Sequence, residues 1–159
     1  MKAVIYSIGP NERLKISDGV LEVLKKYRQF DIKATEAGGV LLGRFLNESN
    51  DVIIDSLTEP LEKDIRKRCY FKKHLEDHQK LVDKIWRDSK GTCNYLGEWH
   101  THPEKHPTPS WHDKREWRKV LKNTKCDSET LFFVIIGTES IGVWIGSRTN
   151  LKIEALLRG

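Results

Sequence analysis

Apolar residues alternate with polar ones at the start of the chain, shift to a helical period near residue 17, and return to strand-like runs after residue 36. Residues 2–8 and 13–16 read as short strands around the turn Gly9-Pro10-Asn11. Ser17 stands where a helix cap belongs. Val20, Leu24 and Tyr27, with Leu21 and Val23 beside them, form a stripe that predicts a helix to about Phe30. Ala37–Leu46 and Asp51–Leu57 read as strands, and Asn47-Glu48-Ser49-Asn50 as the hairpin turn between them. Residues 58–70 are highly charged and contain Pro60, which predicts an exposed loop. The spacing of Leu75, His78, Leu81, Val82, Ile85 and Trp86 predicts a second helix over 72–89, ended by Gly91. Thr92–His102 reads as a central strand. Pro103, Pro107 and Pro109 then interrupt regular structure until Ser110 opens a third helix to about Asn123. Leu131–Ile136 and Ile141–Ile145 predict a hairpin around Gly137-Thr138-Glu139-Ser140, and Leu151–Leu157 a closing strand. No repeat or linker divides the pattern. It predicts one α/β domain over 1–159, a mixed sheet flanked by helices.

Composition narrows the functional classes. Hydrophobic residues make up 38% and charged residues 32% of 159, the balance of a globular chain. The longest apolar runs, such as Leu131–Ile136, are far too short to span a membrane, and the N-terminus lacks the features of a signal peptide, so a cytoplasmic location is expected. Cys69, Cys93 and Cys126 are odd in number and widely spaced, which argues for free thiols rather than a disulfide framework or a cysteine zinc site. The net charge of +5 would suit an acidic partner, but the 28 basic residues are interspersed with 23 acidic ones. Only Asp64–Lys73 resembles a basic patch, and a positive rim or solvated loop explains it equally well. Nucleic acid is not the expected partner.

The segment Glu98-Trp99-His100-Thr101-His102-Pro103, followed by Ser110-Trp111-His112-Asp113, carries the candidate chemistry. On a strand, side chains at i and i+2 share a face, so His100 and His102 can approach one metal ion together. Asp113, in the first turn of the helix that Ser110 caps, can supply a carboxylate. Two histidines and one carboxylate, with a position left for solvent, form the ligand set of a catalytic zinc site. Glu36 stands before the Gly38-Gly39 strand entry and is the candidate general base. Ser110 is both a helix cap and a candidate donor to a tetrahedral oxyanion. His106 lies in a Pro-flanked loop and His112 about 100° around the helix from Asp113, so both are expected outside the ligand set. His74 and His78, at i and i+4, have metal-binding spacing but share the face of the core stripe.

Together, Glu36 with Gly38-Gly39-Val40-Leu41-Leu42-Gly43, His100-x-His102-Pro103 and Ser110-x-x-Asp113 resemble the full signature of the JAB/MPN (JAMM) zinc metalloproteases, over about residues 30–145. The resemblance implies a cytidine-deaminase-like α/β core, one Zn²⁺, and hydrolysis of isopeptide or peptide bonds after the C-terminus of a ubiquitin-like partner. Leu96-Gly97-Glu98-Trp99, Glu104, Pro107-x-Pro109 and Trp117 are further similar to the short bacterial branch found in CBASS anti-phage operons. There the implied partners are a CD-NTase, whose C-terminal tail is the conjugated group, and an operon-encoded activating/conjugating enzyme. An extended tail is expected to add as a strand beside 37–46. Two other readings stay open: trimming of a small ubiquitin-like sulfur carrier, and a non-catalytic scaffold of the same fold.

Overall fold

The computed structural model describes residues 2–46 and 48–159; Asn47, the first residue of the expected hairpin turn, lies outside them. Strands β1 (Val4–Gly9) and β2 (Glu12–Ile16) lead into α1 (Asp18–Lys26). Then come β3 (Gly38–Phe45), β4 (Val52–Leu57), β5 (Ile65–Lys67), β6 (Tyr70–Lys72) and α2 (Leu75–Asp88). After β7 (Asn94–Thr101) and α3 (Trp111–Asn123) follow β8 (Thr130–Ile136), β9 (Ile141–Ser147), β10 (Ile153–Ala155) and β11 (Leu157–Arg158).

Nine strands form one mixed sheet in the order β10-β9-β8-β7-β3-β4-β2-β1-β11. Neighbours β2/β4 and β7/β8 are parallel and the other pairs antiparallel. The two outermost strands are separated in sequence by Leu156 alone, so the sheet must curl until its edges lie within about 7 Å of each other. The amide of Leu156 donates to Val143 O (2.8 Å) at that seam. What reads as a single closing strand over 151–157 is therefore two short ones, on opposite edges.

Both faces of the central strands are covered, which explains their continuous apolar runs. On β8, Phe132, Val134 and Ile136 join Leu21 and Leu24 of α1 in one cluster, while Leu131, Phe133 and Ile135 meet Trp117 and Leu121 of α3. On β3, Leu41 faces the α1 side, and Val40 and Leu42 face Val82 of α2. Helices α2 and α3 thus share one face of the sheet, and the cleft between them runs over β7.

Gly97 resets the alternation on β7. A Cβ there would sit 1.7 Å from Phe132 O, and its φ of +151° disfavours a side chain. The register shift at this point leaves Tyr95 and Glu98 close enough for the phenol to donate to Glu98 Oε2 (2.8 Å).

Three expectations need correction. Helix α1 stops at Lys26, not near Phe30, because Gln29 turns inward to a site where it is 2% exposed. The 58–70 segment is not a plain loop, since β5 and β6 form a hairpin over 65–72, and α2 accordingly begins at Leu75 rather than at 72. Finally, β3 offers no free edge for an added strand. It bonds β7 along one side and β4 along the other, with Thr58 N donating to Val40 O (2.9 Å) where β4 ends.

Candidate functional site

At the end of β7, His100 and, one residue past the strand, His102 lie on the face toward α3, in keeping with a period of two. Their Nε2 atoms lie 3.1 Å apart. The carboxylate of Asp113 meets both, with Oδ1 3.2 Å from His100 Nε2 and Oδ2 3.0 Å from His102 Nε2. These three separations approach the ligand–ligand edge of tetrahedral zinc, about 3.3 Å for metal–ligand bonds of 2.0–2.1 Å. The donor set is nitrogen and oxygen without sulfur, and the residues present fit the cation that the sequence implies. Ligand atoms of Glu36, His100 and His102 also lie within 4.8 Å of one another.

Asp113 is held by its own helix terminus. Ser110 Oγ accepts from Asp113 N (3.0 Å), and Asp113 Oδ2 accepts from Ser110 N (2.8 Å), a reciprocal capping box. Because Ser110 Oγ accepts in this cap, its own proton remains available toward the cleft. His100 is backed by Trp117, with ring centroids 6.1 Å apart, and Trp117 stacks on Phe133 at 4.6 Å.

Glu36 is 5% exposed and is clamped through its backbone. Its N–H donates to Lys67 O (2.7 Å), and its carbonyl accepts from Arg66 Nε (2.8 Å). The next residue ties this loop to the histidine strand: Ala37 N donates to Thr101 Oγ1 (3.0 Å) and Thr101 N to Ala37 O (2.9 Å). Thr101, between the two histidines, points the opposite way into the core and donates to Gln29 Oε1 (2.8 Å). Gln29 Nε2 in turn donates to Ala34 O (3.2 Å) and Arg68 O (2.9 Å). One buried amide therefore joins the end of α1, the Glu36 loop, the β5–β6 turn and the histidine strand.

Electrostatics follow from this burial. Desolvation pushes the Glu36 carboxyl up to about 8; His102 opposes the shift, and Asp113 and Glu104 add to it. Burial also works to raise Asp113, but hydrogen bonds from His100 and His102 outweigh it and hold that carboxyl well below the usual range. His102 is raised, since Asp113 and Glu104 more than offset its desolvation.

A cleft of about 1830 Å³ opens over these groups and continues between α2 and α3, past Tyr95 and Glu98 to Trp86 and Val120. Phe71 of β6 lies against Gly38, where a Cβ would come 2.6 Å from its ring. Tyr70 approaches His112 of α3, with ring centroids 5.8 Å apart. The hairpin and the start of α3 thus flank the site.

Other candidates sit elsewhere. His106 bonds Ser140 Oγ through Nδ1 (2.9 Å), and His112 lies against Tyr70 at the flank of the cleft. His78 has both ring nitrogens engaged, with Thr58 Oγ1 (2.8 Å) and Asp64 (2.9 Å), so it has no lone pair to share with His74. The basic segment is partly structural, because Arg66 and Arg68 direct their guanidinium groups at carbonyls of Asp31, Ala34 and Glu36. Sequence reasoning missed Gln29, a lone polar residue beyond the helical stripe. Thr101 was detectable in principle, since alternation sends a hydroxyl between two outward histidines into the core, where it needs a partner. No helix of the described residues is long and apolar enough to cross a membrane.

The chain is similar to a protein of Escherichia coli named CD-NTase/cGAS isopeptidase, 31% identical over 98% of this chain and 95% of that one. A Vibrio cholerae protein of the same name is 34% identical over 81% and 78% of the two chains. The solution structure of a Desulfitobacterium hafniense protein shares the fold, with a TM-score of 0.60, 18% identity, and 88% and 87% of the chains covered. The family model described as prokaryotic homologs of the JAB domain matches residues 28–151, and the chain belongs to that family.

Proposed function

We propose that the chain is a zinc-dependent isopeptidase that cleaves after the C-terminus of a ubiquitin-like conjugated protein. Its substrate in this reading is a CD-NTase joined through its tail to other molecules, within a bacterial anti-phage (CBASS) system in the cytoplasm. An operon-encoded activating/conjugating enzyme would form the bond that this chain breaks. The observation that carries the reading is the convergence of His100, His102 and Asp113 at 3.0–3.2 Å, beside a buried Glu36 and inside an open cleft. The names of the relatives supply the substrate class.

His100, His102 and Asp113 would hold the metal. A zinc ion held there would supply Lewis acidity toward a carbonyl and toward water near neutral pH. Glu36 takes the proton of the attacking water and returns it to the leaving amine. Burial keeps this carboxylate poorly hydrated, while a cation nearby would favour its charged form. Ser110 donates to the oxygen that gains charge as the carbonyl becomes tetrahedral. With β3 enclosed, the incoming tail lies along the hairpin instead. The side of β5 at Lys67 already bonds Glu36, so the outer edge of β6, beside Tyr70 and Phe71, receives it as an added strand.

The test is cleavage of a fusion whose junction is the C-terminal tail of the partner CD-NTase, with zinc analysis of each enzyme. Glu36→Ala should fold, keep zinc and lose turnover by about 10²–10⁴-fold, the usual worth of general acid–base help. Asp113→Ala should lose both zinc and turnover. Undiminished cleavage by Glu36→Ala would remove the base from the mechanism.

A further inference from the structure

The loop leaving the histidine strand is docked on the β8–β9 turn by its backbone. Thr138 N donates to Glu104 O (2.7 Å), and Glu139 N and Ser140 N donate to Lys105 O (3.1 and 3.0 Å). His102 N donates to Ile136 O (3.0 Å), which fixes the loop at its start. Pro107 packs so closely on Gly137 that a Cβ there would come 2.5 Å from the proline ring. The main chain of Glu104 is therefore held without help from its side chain, and the carboxylate is free to take a separate task. It reaches back to His102, with Oε1 2.7 Å from Nδ1.

That contact decides where the imidazole carries its proton. A carboxylate can only accept, so Nδ1 must donate, and a neutral ring is then left with its lone pair on Nε2. Nε2 is the atom that faces His100 and Asp113. The same bond fixes the rotation of the ring and raises the basicity of its free nitrogen. Glu104 is 47% exposed on its side chain, but the acceptor it presents to His102 is only 2.7 Å away, at a ring that is 9% exposed.

We propose that Glu104 is a positioning residue for the metal: it locks His102 in the Nδ1–H tautomer and thereby sets the affinity of the site for zinc. The inference rests on the metal reading above. Three features support it: a loop pinned independently of the side chain, a short charge-assisted contact, and a donor geometry that leaves the correct nitrogen free. A glutamate whose only role was to solubilise the loop would need none of these.

The experiment uses the purified full chain, stripped of metal, and measures the dissociation constant for zinc by competition with a chromophoric chelator. Glu104→Ala should bind zinc about 10–100-fold more weakly, the usual loss when such an outer hydrogen bond is removed. Glu104→Gln keeps an acceptor at the same reach and should fall between wild type and Glu104→Ala, since its bond lacks the charge. Glu139→Ala, which removes an exposed carboxylate from the β8–β9 turn on which this loop is docked, should match wild type. In zinc-loaded, ¹⁵N-histidine-labelled protein, the His102 Nδ1–H should be visible in wild type and Glu104→Gln and lost to exchange in Glu104→Ala. Wild-type affinity in Glu104→Ala would overturn the proposal, as would a Glu104→Gln no tighter than Glu104→Ala, or an equal loss in Glu139→Ala. A wild-type chain that binds zinc no better than His100→Ala would refute the metal site itself, an outcome distinct from these.

Discussion

Thr101→Val isolates the contact that joins the histidine strand to the Glu36 loop. Valine matches the shape of threonine but lacks the hydroxyl, at a position that is 0% exposed. The substitution strands two groups at once, the N–H of Ala37 and Oε1 of Gln29, which now bond Thr101 Oγ1 at 3.0 and 2.8 Å. Each unsatisfied buried partner costs about 1–3 kcal/mol. An added buried methyl and the strand preference of valine return about 1 kcal/mol. The net loss should be about 1–5 kcal/mol, with about 3 kcal/mol at the middle of that range. For a chain of this length, where 1 kcal/mol moves Tm by about 2–4 °C, the middle value should lower Tm by about 6–12 °C. Thermal and urea unfolding of the metal-free protein would measure it, with Thr101→Ser, which keeps the hydroxyl, losing no more than about 1 kcal/mol. A Thr101→Val protein as stable as wild type would refute the view that this hydroxyl is a structural joint.

Two further outcomes follow from the same coordinates. Burial raises the Glu36 carboxyl to about 8, so in the metal-free protein its contribution is fully present below the ordinary carboxyl range and is lost as pH rises toward 8. Glu36→Gln, neutral throughout, should therefore gain Tm relative to wild type between about pH 5 and 8 in the presence of a chelator, and a pH-independent difference would contradict the assignment. Gly97→Ala must place a methyl 1.7 Å from Phe132 O, so a loss of about 3 kcal/mol or more in urea unfolding is expected, and near-wild-type stability would contradict the close packing of β7 on β8.

The central elements were legible because their residues obey a single period. Leu131–Ile136 is apolar throughout since both of its faces are covered, and His100 and His102 share a face because they are two apart on a strand. Ser110 and Asp113 announced the start of α3 by the spacing of a capping box. The hairpin at 65–72 was not legible. Its strands are three residues long and strongly basic, and they are held by contacts distant in sequence, such as Lys67 O with Glu36 N. The same applies to the split of 151–157, which depends on the curl of the whole sheet rather than on local residues. The early end of α1 reflects a tertiary demand on Gln29 that no helical periodicity encodes. Tail addition beside 37–46 is ruled out for a related reason: whether a strand has a free edge depends on its neighbours in the sheet, and β3 lies between β7 and β4.

The most direct measurement of the central claim is a crystal structure of the zinc-loaded chain with anomalous data collected at the zinc edge. The account predicts one strong peak per chain, about 2.0–2.2 Å from His100 Nε2, His102 Nε2 and an Asp113 oxygen, with a side open toward Glu36. A peak at other residues, or no peak from protein that cleaves its substrate, would contradict it.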